Sequence, residues 1–267
     1  MKKMSWHSKL VLGLIVLLPV YFAIAALGTK IGLWGYEFGL GAMVFAAGPI
    51  LLAIVAGLSL VSLIIALFRK PRSRLALGIA IVGLVLPALA FTQFMSLRNT
   101  AGDNPIHDVA TDTADPPQFS DATLAARRES DANPLHDYTT PLGETEMYAG
   151  ADPELAIKSH AQIINQTYAD LSPLPLGGAS RADGVAAVAA AMANMGMDNI
   201  RTDAENGRVE GVAETFWYGF KDDVVARIGE SEIDFRSVSR VGRSDLGANA
   251  ERIAQLRERV AQQIGQR

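Results

Sequence analysis

The chain lacks cysteine, and three long stretches of its first third contain no charged residue. Without cysteine it has no disulfide bond, thiolate nucleophile, thiolate metal ligand or lipidated N-terminal cysteine. The uncharged stretches are Leu10–Leu27, Phe38–Phe68 and Leu75–Leu97. Each is long enough to form a helix across a hydrocarbon core of about 30 Å, which takes about 20 residues. Because transporters and proton relays usually carry ionisable groups at membrane depth, this pattern favours a compact three-helix anchor. A lipid- or partner-binding bundle is the alternative.

The basic residues near these stretches predict one orientation. They cluster at Lys2, Lys3 and Lys9, and again between Arg69 and Arg74, whereas the loop between the first two stretches has only Lys30 and Glu37. By the positive-inside rule, the N-terminus and the second loop are cytoplasmic, so everything after Leu97 lies outside. The first stretch also resembles a signal peptide with Ala23-Ile24-Ala25 as its cleavage pattern, although an uncleaved helix is favoured. Both alternatives place the last domain on the same, outer side of the membrane.

Charge is distributed unevenly along the chain. Residues 1–97 contain eight basic residues and one acid, hence +7, and residues 98–267 contain sixteen basic and twenty-seven acidic residues, hence −11. Nucleic-acid binding needs a basic face to contact phosphates, so we expect no nucleic-acid partner. The composition gives no indication of a cofactor.

Residues 98–151 are predicted to be an acidic extracytoplasmic linker, partly ordered at best, because large apolar residues are scarce there. The segment contains a near-repeat, Asn104-Pro105-Ile106-His107-Asp108 and Asn133-Pro134-Leu135-His136-Asp137. Asn-Pro initiates turns, so each copy is expected to lay the linker against the domain. The sharper alternative is that His107 and His136 ligate a divalent metal. A turn is favoured, because no third histidine lies at ligand spacing and His160 falls in a predicted helix.

The last part, residues 152–267, has the pattern of an α+β domain. Asp152-Pro153-Glu154 begins a helix that is expected to reach Tyr168, and a second helix is expected from Arg181 to Met195. The period then changes to two, which predicts strands at 197–202, 208–216, 223–228 and 232–241, with Asn206-Gly207 as a hairpin turn. A final amphipathic helix spans residues 247–264. This order predicts a two-layer sandwich in which helices cover one face of an antiparallel sheet.

The stretches from Phe216 to Asp223 and from Phe235 to Asn249 are the densest in residue types that carry chemistry. Together with 104–112 and Thr167-Tyr168-Ala169-Asp170, they make the chain resemble the bacterial domain-of-unknown-function family DUF1499, in its membrane-anchored form. The resemblance extends from about Asn104 to Ile264, and the Gly219–Asp223 run and the serine-arginine stretch are its most distinctive parts. It implies a shared site, but the family name assigns no activity.

In the fourth predicted strand, alternation places Arg236, Val238 and Arg240 on one face and Phe235, Ser237 and Ser239 on the other. A glycine-punctuated turn then leads into the last helix, whose exposed amides can receive an anion beside the arginines. The residues proposed to bind a phosphate or carboxylate are Arg236, Arg240, Arg243, Ser244 and Gly247. The supporting residues are Lys221, Asp222, Asp223, Asp245 and Asn249. The alternative is a purely structural salt-bridge network, in which Asp245 caps the helix.

The function most consistent with these patterns is a non-enzymatic, membrane-tethered domain of the cell envelope that binds an anionic ligand or a partner protein. Membrane lipid, an anionic small molecule or lipid, and another envelope protein are the candidate partners. One alternative is an envelope enzyme that uses Asp222, Asp223 or Asp245 with arginine support. Another is a scaffold or assembly protein. Trp217, Tyr218 and Phe220 are expected to pack in the core or at a sheet edge.

Overall fold

The computed structural model of the protein describes residues 4–265, so the charges at Lys2 and Lys3 lie outside the described residues. The chain divides into two compact units. The first consists of residues up to 99 together with the loop Phe216–Gly219, and the second contains residues 100–215 and 220 onwards.

The first unit contains three helical segments that are long and apolar enough to cross a membrane. They are α1 (Trp6–Lys30), α2 (Gly48–Phe68), which continues a π-helical stretch from Glu37 to Ala47, and α3 (Arg74–Asp103). Leu18, Leu52 and Val55 form an apolar cluster between α1 and α2. Gly83 of α3 faces Ser59, where a Cβ atom would collide with the hydroxyl oxygen, so glycine permits the close approach. The prediction of three apolar spans is confirmed.

The second unit is built on an antiparallel sheet. Its strands are β1 (Asp108–Ala110), β2 (Leu174–Pro175), β3 (Asp198–Asp203), β4 (Arg208–Glu214), β5 (Lys221–Ile228) and β6 (Glu232–Ser239). The order across the sheet is β1-β6-β5-β4-β3, and β2 also pairs with β6, at Ile233 and Glu232. The four strands expected from the period-two pattern are present. The β3–β4 turn places Gly207 at a φ of 62°, which glycine adopts without strain.

The second unit also contains the helices α4 (Asp121–Glu129), α5 (Pro153–Ala156), α6 (His160–Thr167), α7 (Arg181–Asn194) and α8 (Ala248–Gly265). Helices α7 and α8 cover one face of this sheet, where the sequence predicts helices. Val188 of α7 and Ile253 and Leu256 of α8 join Phe235 of β6 in one buried apolar cluster. The α+β arrangement is therefore confirmed. One expected helix, from 152 to 168, is instead two, because Ser159 forms a capping box with Gln162 and begins a new helix.

The prediction that residues 98–151 form a linker is wrong. Strand β1 lies within this segment and pairs with β6, and α4 lies over the sheet face opposite α7 and α8. Phe119 packs there on Val225 and Val238 in a second apolar cluster. The segment folds because a few well-placed apolar side chains and many polar contacts to the sheet compensate for its scarcity of large apolar residues. Both faces of the sheet are consequently covered.

Candidate functional site

The residues predicted to bind an anion occupy different environments, and Arg236 is the most deeply buried of them. Its side chain is 2% exposed and forms a two-point ion pair with Asp108 of β1, at 3.0 Å from Nε and 2.7 Å from the terminal nitrogen. The Tyr138 hydroxyl donates to the same carboxylate at 2.5 Å. Although burial opposes it, the Arg236 guanidinium and these hydrogen bonds lower the pKa of Asp108 to about 2. The Arg236 guanidinium is thus paired with an internal carboxylate, and its role in anion binding stays a prediction.

Arg240 is also engaged by a carboxylate. Asp223 is fully buried and accepts from Arg240 at 2.7 and 3.0 Å, and from Arg127 of α4 at 2.6 Å. Arg127 and Arg236 both lie near the Phe119 ring, at 6.0 and 5.8 Å from its centroid. These contacts fasten α4 to the sheet, which is a structural role.

Asp222 and Asp223 are adjacent in β5 but point to opposite faces of the sheet, as strand alternation requires. Asp222 accepts from Arg252 of α8 at 2.6 Å, on the face opposite Arg127. Asn249 joins the same network by accepting from Ser237 at 2.6 Å and from Arg252, and by donating to Ser239 at 3.0 Å. The two carboxylates therefore never meet, and each is held by arginine. This arrangement does not favour the enzyme alternative based on them.

The amides at the N-terminus of α8 bind a carboxylate of the protein itself. Asp245 accepts from the amides of Gly247 at 2.8 Å and Asn249 at 2.9 Å, so these amides are not available to an external phosphate. Burial raises the pKa of Asp245, and the two amide hydrogen bonds oppose that shift. The alternative in which Asp245 caps the helix describes this turn correctly. Gly247 has a φ of 82°, and a Cβ atom there would come within 2.9 Å of Asn104.

Two of the predicted anion-binding residues, Arg243 and Ser244, line a cavity of about 520 Å³. Lys158 adds a second basic side chain to the wall, and Leu155 and Ile163 provide apolar surface. Neither Arg243 nor Lys158 forms a side-chain hydrogen bond or ion pair with another residue between 4 and 265. The wall also contains Asp103, Asp152 and Glu154. Of these acids, Asp152 is already used to cap α5, because it accepts from the Glu154 amide.

Three histidines from separate segments meet beside this cavity. The ring centroids of His107 and His136 are 5.5 Å apart, and those of His136 and His160 are 4.8 Å apart in a stacked arrangement. Tyr148 links this histidine cluster to the cavity, since it lines the wall and its hydroxyl lies 3.3 Å from Nδ1 of His107. On another side, His136 lines a smaller cavity of about 330 Å³ with Tyr138 and Arg236.

The rings of the histidine cluster are short of hydrogen-bond partners, and their pKa values are lowered. Burial lowers the pKa of His107 to about 4 and that of His160 to about 3, and it also lowers the pKa of His136. Four ring nitrogens have no hydrogen-bond partner among the described residues: Nε2 of His107, Nε2 of His136, and both nitrogens of His160. Within residues 4–265, however, no three His, Asp or Glu side chains are arranged to hold a metal ion. The metal role of His107 and His136 stays a prediction.

The remaining residues singled out in the sequence lie apart from the cavity. Lys221 is exposed at the start of β5, 4.0 Å from Glu214. Trp217 is 55% exposed, so the expectation that it packs in the core or at a sheet edge is wrong. Tyr218 and Phe220 are half-buried in the same hairpin.

Sequence reasoning missed Lys158, Tyr148 and the approach of His160 to the other histidines. Lys158 and Tyr148 gave no signal, because each is an ordinary residue in a segment without a motif. The repeated Asn-Pro-x-His-Asp pattern did indicate that His107 and His136 are related. His160, the first residue of α6, belongs to no such pattern, and only the tertiary structure brings its ring to the other two.

A family model described as "Protein of unknown function (DUF1499)" matches residues 108–260. The chain belongs to this family. The DUF1499 match begins at β1 and ends within α8, so it includes the segment that had been expected to be a linker. No curated protein and no solved structure shows a match. The DUF1499 domain together with the apolar N-terminal helices indicates a membrane-associated protein.

Proposed function

We propose that this protein is a membrane-tethered binding domain, and that its cavity of about 520 Å³ takes a small ligand with an acidic group. The observation that carries this proposal is the pair of basic side chains, Arg243 and Lys158, at a cavity that also has an apolar wall. Charged groups that lack an internal partner are available to a ligand, and a hydrogen bond to a charged group is worth about 1.5–3 kcal/mol.

The acids on the same wall refine the ligand class. The carboxylates of Asp103 and Glu154 favour cations and hydrogen-bond donors, whereas the basic side chains favour anions. The ligand that fits this wall best therefore also has a cationic group or hydroxyl donors. A zwitterionic lipid headgroup and a soluble amino or hydroxy acid share this chemistry. The apolar wall at Leu155 and Ile163 can receive a short hydrocarbon portion of either.

We place this domain on the outer side of the bacterial inner membrane, with the N-terminus in the cytoplasm. The support is the distribution of basic residues, which are concentrated at the N-terminus and in the loop between α2 and α3. We assign no catalytic role to the histidine cluster, since burial lowers the pKa of all three rings.

The test uses the full-length protein purified in detergent, with an exposed arginine as the control. Native mass spectrometry first asks whether a small molecule co-purifies, and titration with glycerophosphoethanolamine and with inorganic phosphate follows. Arg243→Gln should weaken binding of the zwitterionic probe about tenfold, which corresponds to about 1.4 kcal/mol. Arg128→Gln, on exposed α4 surface away from the cavity, should leave binding unchanged.

Two results would contradict the proposal. One is an empty protein that also binds neither probe at millimolar concentration. The other is an equal loss of affinity in the Arg243→Gln and Arg128→Gln variants, which would indicate a general charge effect. Binding of glycerophosphoethanolamine but not of phosphate would support the zwitterionic ligand class.

A further inference from the structure

The loop Phe216–Gly219, between β4 and β5, exposes two large aromatic rings. Phe216 is 72% and Trp217 is 55% exposed, and their centroids lie 5.2 Å apart in an edge-to-face contact. Two adjacent exposed aromatics at one hairpin tip are unusual, because a tryptophan in a soluble loop normally buries much of its surface.

Hydrogen bonds between the two residues that flank the loop fix its conformation. The Thr215 amide donates to the Phe220 carbonyl oxygen, and the Phe220 amide donates to the Thr215 hydroxyl, both at 2.9 Å. Gly219 adopts a φ of 66°, which lets the chain turn back into β5. The two rings are thus presented outward by a closed hairpin, so ordering them on a surface has a small conformational cost.

The loop belongs to the unit that contains the apolar helices. Lys30, the last residue of α1, donates from its ammonium to the Phe216 carbonyl oxygen at 2.8 Å and lies 5.1 Å from the Phe216 ring centroid. Helix α1 has 25 residues, a length of about 37 Å at 1.5 Å per residue. That length exceeds a hydrocarbon core of about 30 Å, so a terminal lysine of such a helix lies at the level of the lipid headgroups.

We propose that the Phe216–Gly219 loop inserts Phe216 and Trp217 into the headgroup boundary of the bilayer that the apolar helices are able to cross. Aromatic rings with an apolar body and a polar edge are enriched at this boundary. The basic groups beside the loop, Lys30 and Lys221, match the phosphates of that layer. This contact brings the tip of the β4–β5 hairpin to the lipid, and it does not depend on the ligand of the cavity.

The experiment uses the absence of cysteine, which gives a background free of labelling. Trp217→Cys receives a nitroxide spin label in the full-length protein reconstituted in lipid nanodiscs. The matched control is Glu205→Cys, in the β3–β4 turn at the opposite end of β4. We expect the label at 217 to be at least threefold more accessible to oxygen than to a water-soluble nickel chelate, relative to the label at 205.

A second measurement retains the native tryptophan. Lipids brominated near the headgroup should quench part of the fluorescence of the unlabelled protein, to which Trp6, Trp34 and Trp217 contribute, and Trp217→Phe should reduce the quenched part. Equal accessibility of both labels to the nickel chelate, with the quenched part of the fluorescence unchanged in Trp217→Phe, would overturn the proposal. That outcome would leave the loop as a surface for a protein partner.

Discussion

At the scale of single residues, the most informative pair is Asp108 with Arg236. Both are nearly inaccessible, and the carboxylate is further held by the Tyr138 hydroxyl. Removing one partner from such a pair leaves an uncompensated buried charge, which typically costs about 3–5 kcal/mol. The arginine that the sequence suggested for ligand binding therefore serves to join β1, the edge strand, to β6.

The buried histidines make stability depend on pH. Burial lowers the pKa of His107 to about 4 and of His160 to about 3, whereas an unfolded histidine titrates near a pKa of about 6.5. Between these values the unfolded chain binds more protons than the folded chain, so stability falls as pH decreases from about 6.5 towards 4. Asp108 faces the cluster with a pKa of about 2, and Arg236, Tyr138 and Tyr148 do not titrate in this window.

We predict a loss of about 2 kcal/mol per buried histidine on going from pH 7.5 to pH 5. Thermal unfolding of the detergent-solubilised protein across this range measures it. His160→Gln, which lacks a titrating ring, should flatten the slope. A midpoint that is constant between pH 7.5 and pH 5 would show that the histidines are not buried as described.

At the scale of elements, the first turn of α4 is held by one carboxylate of the sheet, in addition to the Arg127–Asp223 pair. Glu210 of β4 is buried and accepts hydrogen bonds from the Ser120 hydroxyl and the Thr123 hydroxyl, both at 2.6 Å, and from the Ser120 amide. Ser120 is itself the N-cap of α4. The carboxylate thus fixes the beginning of the helix on the sheet, and Phe119 packs beside it.

Glu210→Ala should release α4 from the sheet. Loss of these charge-assisted hydrogen bonds is expected to cost about 3 kcal/mol locally, since each contributes up to about 1.5–3 kcal/mol. Amide hydrogen exchange should show about a hundredfold loss of protection in 121–129, with β5 and β6 little affected. Glu232→Ala, an exposed acid of β6, is the control. Unchanged protection of α4 would mean that Arg127 and Phe119 suffice to hold it.

At the scale of the whole molecule, the basic residues predict the side of the membrane on which the domain lies. Two single cysteines test it in the cysteine-free chain: Ser73→Cys in the loop between α2 and α3, and Asp170→Cys on exposed surface after α6. A membrane-impermeant maleimide applied to intact spheroplasts should label Asp170→Cys, and should label Ser73→Cys only after lysis. The reverse result would place the domain in the cytoplasm and remove the envelope assignment.

More of the fold than of the candidate site could be predicted from local sequence patterns. The apolar spans and the strands from β3 to β6 could be predicted, because burial on one face produces a periodicity of its own. The role of residues 98–151 could not, since β1 has only three residues and its pairing with β6 is a long-range contact. Within the candidate site, Arg243 and Ser244 were predicted from the sequence. Lys158 and Tyr148 were not, because they belong to no motif or periodic pattern.

The amino-acid sequence by itself determined that the protein is membrane-associated and that its domain combines helices with an antiparallel sheet. These features follow from the length of the apolar stretches and the period of the apolar positions, which are local properties of the chain. Only the tertiary structure decided which charges are available to a ligand. In sequence, Arg236, Arg240, Asp222 and Asp223 look like exposed residues, but each is neutralised by an ion pair with a neighbouring strand or helix. Arg243 and Lys158 stay accessible at the cavity because the fold gives them no carboxylate partner within residues 4–265.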